Sequence, residues 1–132
     1  MKCDVIIAKD HIWRAGPAYR EESELANGRY NSCANRCYYA CFQAAIAALL
    51  REGIRPRGQW NHEFVQGQFV GVLISQRHRY DSELRRVLSD NQSLRDKADY
   101  RAELVTATQA GRALRRSRTF VAAIRQRGGV VQ

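Results

Sequence analysis

Three histidines, His11, His62 and His78, are the side chains of this sequence best suited to moving protons near neutral pH. His62 stands apart by its setting. Asn61 just before it suits the N-cap of a helix, so His62 would open that helix. There the helix dipole disfavours an imidazolium and keeps the ring available as a base. The alternative is structural, a helix-start ring hydrogen-bonded to its own bundle, and the residues alone leave both open. His11 and His78 have no such setting and read as solvated.

Arginine supplies the second kind of chemistry. Of 22 basic residues all but Lys2, Lys9 and Lys97 are arginine, and the formal net charge is +9. The charge is uneven. Residues 1–54 hold seven basic and six acidic side chains, whereas residues 55–132 hold fifteen and seven. After Glu103 no acidic residue follows, while Arg112, Arg115, Arg116, Arg118, Arg125 and Arg127 do. The planar fork of arginine matches phosphate and carboxylate. RNA or another phosphate-bearing ligand is therefore an expected partner, with a basic surface that serves solubility as the alternative.

Cys33, Cys37 and Cys41 recur every fourth residue, which places them along one side of a helix. A thiolate metal site would suit that spacing, but neither a Cys-x-x-Cys pair nor paired histidines accompany it. Packing as small hydrophobes is the expectation, and no metal or other cofactor is called for. Reduced thiols fit a cytoplasmic location. The apolar stretch Val5–Ala8 is too short for a secretory leader. Cys37–Leu50 is too short to span a bilayer, so no membrane contact is expected.

The elements that must position these groups read as helices. The expected segments are 4–27, with a kink at Pro17; 30–52, ended by Gly53; 62–73, capped by Asn61; 80–94; and 101–125. The second is apolar almost all round, as in a helix buried on several sides. Its apolar surface exceeds what one side of a bundle covers and suggests an interface with a second copy. In the fifth, Ala107, Ala110, Ala113, Leu114, Phe120, Val121 and Ile124 share one side, and Arg101, Arg112, Arg115 and Arg116 the other. The fold class is all-α: one antiparallel bundle of four to five helices over residues 1–132, with a frayed tail from about 127.

Residues 24–45, with Arg36, Tyr38-Tyr39-Ala40, Phe42 and the small residues around them, resemble the core of HEPN (higher eukaryotes and prokaryotes nucleotide-binding) domains. His62 with Val65 and Phe69 is similar to that family's histidine-containing third-helix segment. Arg95-Asp96-Lys97-Ala98-Asp99-Tyr100 is similar to its Arg-x-x-Ala-Asp-Tyr segment. Arg36, Tyr39, Arg95, Asp99 and Tyr100 are thus the expected framework residues. Within an apolar helix Arg36 calls for a buried or half-buried partner, because an unpaired buried charge is costly. Asp99 is the expected one, and snorkelling of Arg36 to solvent is the alternative.

The resemblance implies a homodimer, and for many members metal-independent endoribonuclease activity. The family's catalytic motif is an Arg, four to six residues, then a His, usually on a late helix. Here the fifth segment holds no histidine, but Arg57 precedes His62 with four residues between, and Arg55 with six. His62 would shuttle the proton of an attacking 2′-hydroxyl, and Arg57 or Arg55 would stabilise charge on the phosphoryl group. The resemblance also implies a toxin-like role, neutralised by a nucleotidyltransferase partner. The reading from a different class is a non-catalytic helical module that binds a nucleotidyltransferase, a nucleotide or nucleic acid.

Overall fold

The computed structural model describes residues 28–99 and 104–128. The expected first helix, with His11 and Pro17, lies outside these residues, as do Tyr100, Arg101 and the last four residues. Among the described residues all regular structure is helical.

Helix α1 (Tyr30–Arg51) is the centre, and the other helices pack around it. Thirteen of its 22 residues are buried. Its alanines and cysteines let neighbouring backbones approach closely. It ends on Gly53 at φ +75°, with Gly53 N–H donating to the Leu50 carbonyl (3.0 Å) and Ile54 N–H to the Leu49 carbonyl (2.9 Å). This pair of bonds satisfies carbonyls that a helix end leaves open, and the left-handed residue between them favours glycine. Arg51 then donates to the Ile124 carbonyl at 2.8 Å and ties this end to the last helix.

Helix α2 (His62–Gln68) starts as expected, with the Asn61 side chain accepting from Phe64 N–H at 2.8 Å. It runs on into a π-helical segment, Phe69–Gln76, three residues beyond the expected end. The wider turn directs Phe69, Leu73 and Ile74 inward. The following connector folds back onto α1, where Glu52 pairs with Arg77 (3.0 Å) and Arg79 (3.2 Å). His78 between them is exposed and stands at φ +52°.

A 3-10 turn (Ser82–Arg86), capped by Asp81, leads into α3 (Val87–Asp99). The last helix, α4 (Ala107–Gly128), begins later than the expected residue 101. Thr106 Oγ accepts from Gln109 N–H at 3.1 Å, and Gln109 Oε1 accepts from Thr106 N–H at 3.0 Å. That reciprocal capping box sets the start.

The core has two apolar clusters. The larger gathers the C-terminal half of α1 with Val65, Phe69, Leu73, Leu88, Phe120 and Ile124. Phe69 stands between Phe120 and Tyr80, with ring centres 4.9 and 5.2 Å away. The smaller joins Cys33, Cys37, Leu94, Ala110, Ala113 and Leu114. Between them lies a polar layer. Asn91, 1 % exposed, donates to Ser117 Oγ at 2.9 Å and to Cys41 Sγ at 3.4 Å.

Most of the apolar surface of α1 is therefore buried within the chain. What α1 leaves exposed is polar or aromatic: Asn35, Arg36 and Tyr39. No helix among the described residues is long and apolar enough to cross a membrane.

Candidate functional site

His62, at the first turn of α2, is half-buried against α1. Its ring stacks on Tyr38 with centres 6.0 Å apart, and Tyr38 stacks in turn on Phe42 at 5.9 Å. His62 Nε2 lies 2.6 Å from Gln66 Oε1, one helical turn on. With the amide oxygen as acceptor, Nε2 carries the proton. Nδ1 is then a lone pair, enclosed and without a hydrogen-bond partner.

From α3, Arg95 lies over Tyr38, its guanidinium carbon 4.7 Å from the ring centre. Arg95 Nε is 3.4 Å from Asp99 Oδ2, an ion pair without hydrogen-bond alignment, since that enclosed nitrogen makes no hydrogen bond. Tyr38 is thus the hub on which His62 and Arg95 meet. Tyr39, the expected framework residue, points away and is exposed.

The expected burial of Arg36 is corrected: it is exposed. It occupies the exposed strip of α1 with Asn35 and Tyr39, so the argument from the cost of a buried charge does not apply. Asp99 is exposed too, and its ion pair is with Arg95, four residues earlier on α3, a spacing that puts both on one helix face. Arg55 and Arg57 are exposed in the loop between α1 and α2 that leads to His62.

The basic face of α4 divides. Arg112 and Arg115 are exposed as expected. Arg116 is half-buried, because its Nε donates to Asn91 Oδ1 at 2.7 Å. Arg112 and Arg116 line a cleft of about 310 Å³ between α3 and α4, together with Asp90, Ser93, Leu94, Lys97 and Gln109. Lys97 Nζ donates to Gln109 Oε1 at 3.2 Å. Lys97 and Asn91 are the site residues that sequence reasoning missed. A signal existed for Lys97, which follows Asp90, Ser93 and Leu94 at helical spacing, but the α4 surface it meets lies elsewhere in the sequence.

The three described cysteines are buried packing residues. Cys33 and Cys41 thiols face the Ala110 and Ser117 carbonyls at 4.0 Å. Hydrogen bonding with Cys33, then burial, pushes the Cys37 thiol far above the ordinary thiol range. Among the described residues no three His, Cys, Asp or Glu side chains are grouped to hold a metal.

The helices and the meeting of Tyr38, His62 and Arg95 bring the resembling segments into one structure. The sequence model of the HEPN domain matches residues 18–127. The chain belongs to the HEPN domain family. No curated protein matches it. In this HEPN domain His62 of α2 and Arg95 of α3 both meet α1 at one tyrosine ring, Tyr38.

Proposed function

We propose that this HEPN domain binds RNA through its phosphates, using the cleft between α3 and α4 and the basic face of α4 beside it. The carrying observation is that Lys97, Arg112 and Arg116 line one cleft while a single carboxylate, Asp90, lines it with them. Arg115 extends the basic surface along α4. Arg–phosphate contacts position a nucleic acid without reading its sequence. The test is RNA affinity against salt concentration for the parent chain and for an Arg112→Ala/Arg116→Ala double variant. Loss of two single-strand phosphate contacts lowers the log–log salt slope by about 1.4. An unchanged slope and affinity would reduce this face to solvated surface.

Cleavage of that RNA without a metal is the second reading, as the toxin-like member of a pair with a nucleotidyltransferase. What favours it is His62. Gln66 on Nε2 is a neutral amide that a ribose hydroxyl can displace, and Arg55 and Arg57 stand exposed in the approaching loop. Binding ranks first because Nε2 is engaged and Nδ1 enclosed, so neither nitrogen is open to a substrate without rearrangement. The Arg-then-His spacing, counted from Arg95, also ends on Tyr100 rather than on a histidine.

A further inference from the structure

The α3–α4 cleft is more selective than a basic surface. Lys97, Arg112 and Arg116 come to it from two helices, and Asp90, the carboxylate among its lining residues, lies 3.7 Å from Arg86. The lining alone thus carries an excess of two positive charges. A phosphomonoester carries about −1.5 to −2 near neutrality, whereas each phosphodiester of a nucleic-acid backbone carries one negative charge. The cleft matches the first.

Arg116 is also held in place. Its bond to Asn91 Oδ1 at 2.7 Å uses Nε and leaves the two terminal nitrogens for a ligand. Asn91 cannot turn its amide over at no cost, because its nitrogen is committed to Ser117 Oγ and Cys41 Sγ inside the core. A guanidinium fixed this way loses little freedom when it binds, and preorganised forks give the strong bidentate contacts to phosphate.

We propose that this cleft is a phosphomonoester pocket, with Lys97, Arg112 and Arg116 as ligand groups and Asn91 as the positioning residue for Arg116. For the source of the phosphate the inference rests on the RNA-binding reading: the phosphorylated 5′ end of an RNA strand. A free nucleoside monophosphate offers the same chemistry.

The experiment measures binding of the full chain to one short single-stranded RNA in 5′-phosphate and 5′-hydroxyl forms, with adenosine 5′-monophosphate as competitor. The phosphorylated strand should bind about tenfold tighter or more, the factor one charge-assisted hydrogen bond supplies. Adenosine 5′-monophosphate should compete for it. Arg112→Gln and Arg116→Gln should each cut that preference severalfold. Asn91→Leu should cut affinity for the 5′-phosphate strand more than affinity for the 5′-hydroxyl strand, a difference that a merely unfolded protein would not show. Arg112 is exposed, so its variant tests the pocket even if Asn91→Leu fails to fold. Equal binding of both strands overturns the pocket and leaves RNA binding standing. Binding of the monophosphate alone, abolished by Arg116→Gln, upholds the pocket and overturns the RNA source. Binding of none of the three overturns both.

Discussion

Arg95 rests its guanidinium on the ring of Tyr38, with 4.7 Å between the guanidinium carbon and the ring centre. The two residues are 57 positions apart, on α3 and α1, and their contact joins two of the three segments that resemble the HEPN family. At this half-buried position such a contact contributes about 1 kcal/mol. Arg95→Ala should lower unfolding free energy by about 1–2 kcal/mol in a urea titration. Arg95→Lys should recover little of it, since an ammonium does not lie flat on a ring. A double-mutant cycle with Tyr38→Leu that returned no coupling would remove the pair from the account.

Arg36 should behave as a surface residue. A buried guanidinium paired with Asp99 would cost about 3 kcal/mol or more on truncation, whereas at its exposed position Arg36→Ala should cost at most about 1 kcal/mol. Thermal melts of Arg36→Ala and Arg95→Ala side by side should place the larger loss at Arg95.

Cleavage, if this chain performs it, should survive EDTA and depend on His62. The comparison is hydrolysis of a structured RNA in chelator by the parent, His62→Ala, Arg57→Ala and Gln66→Ala. The expected order places His62→Ala lowest, with a loss of about 10²–10⁴-fold, the range of general acid–base catalysis. Gln66→Ala, which frees Nε2, should retain activity. Equal cleavage by the parent and His62→Ala would dismiss the histidine.

Cys37 gives the pH dependence a direction. Its thiol is raised in the folded chain by its hydrogen bond with Cys33 and by burial, from an ordinary value of 9.0. A raised group contributes stability that is complete below the unfolded value and is lost as pH rises above it. The unfolded chain releases the proton from about pH 9 upward while the folded chain keeps it, which lowers stability by about 1.4 kcal/mol per pH unit from this group. Urea titrations between pH 8 and 10.5 should show that decline, and Cys37→Ala should flatten it by about the same amount. The native thiol should also resist iodoacetamide at pH 8 and react once urea unfolds the chain.

Much of the scaffold is written locally. The unbroken apolar run of α1, Gly53 after it and the Asn61 cap before His62 each act within a turn or two, so their effects are visible in the sequence. The late start of α4 was also written there, in Thr106 and Gln109, but it is masked by an alanine-rich run that reads as continuous helix. Arg36 misled because the mean apolarity of α1 hides a narrow exposed strip, Asn35, Arg36 and Tyr39. The cleft is a different matter. Lys97 and Arg116 lie on separate helices, and their meeting depends on how α3 and α4 settle against α1, which local spacing does not encode.

The polar layer of Asn91 and Ser117 between the two apolar clusters has a consequence for how the helices find one another. A seam of alanines and cysteines is smooth, and α4 could slide along α1 by a turn with little change in buried area. Asn91 makes that slip expensive. Move α4 one turn either way and Ala113, Leu114, Phe120 or Val121 would face the amide, stranding a buried donor at about 1–3 kcal/mol. The asparagine therefore works as a key cut for one lock position, much as a single polar residue sets the alignment of a coiled coil. The amide nitrogen of Asn91 keys the bundle and its oxygen holds Arg116, so the cleft and the helix register are set by one side chain and a slipped bundle would have no cleft to offer.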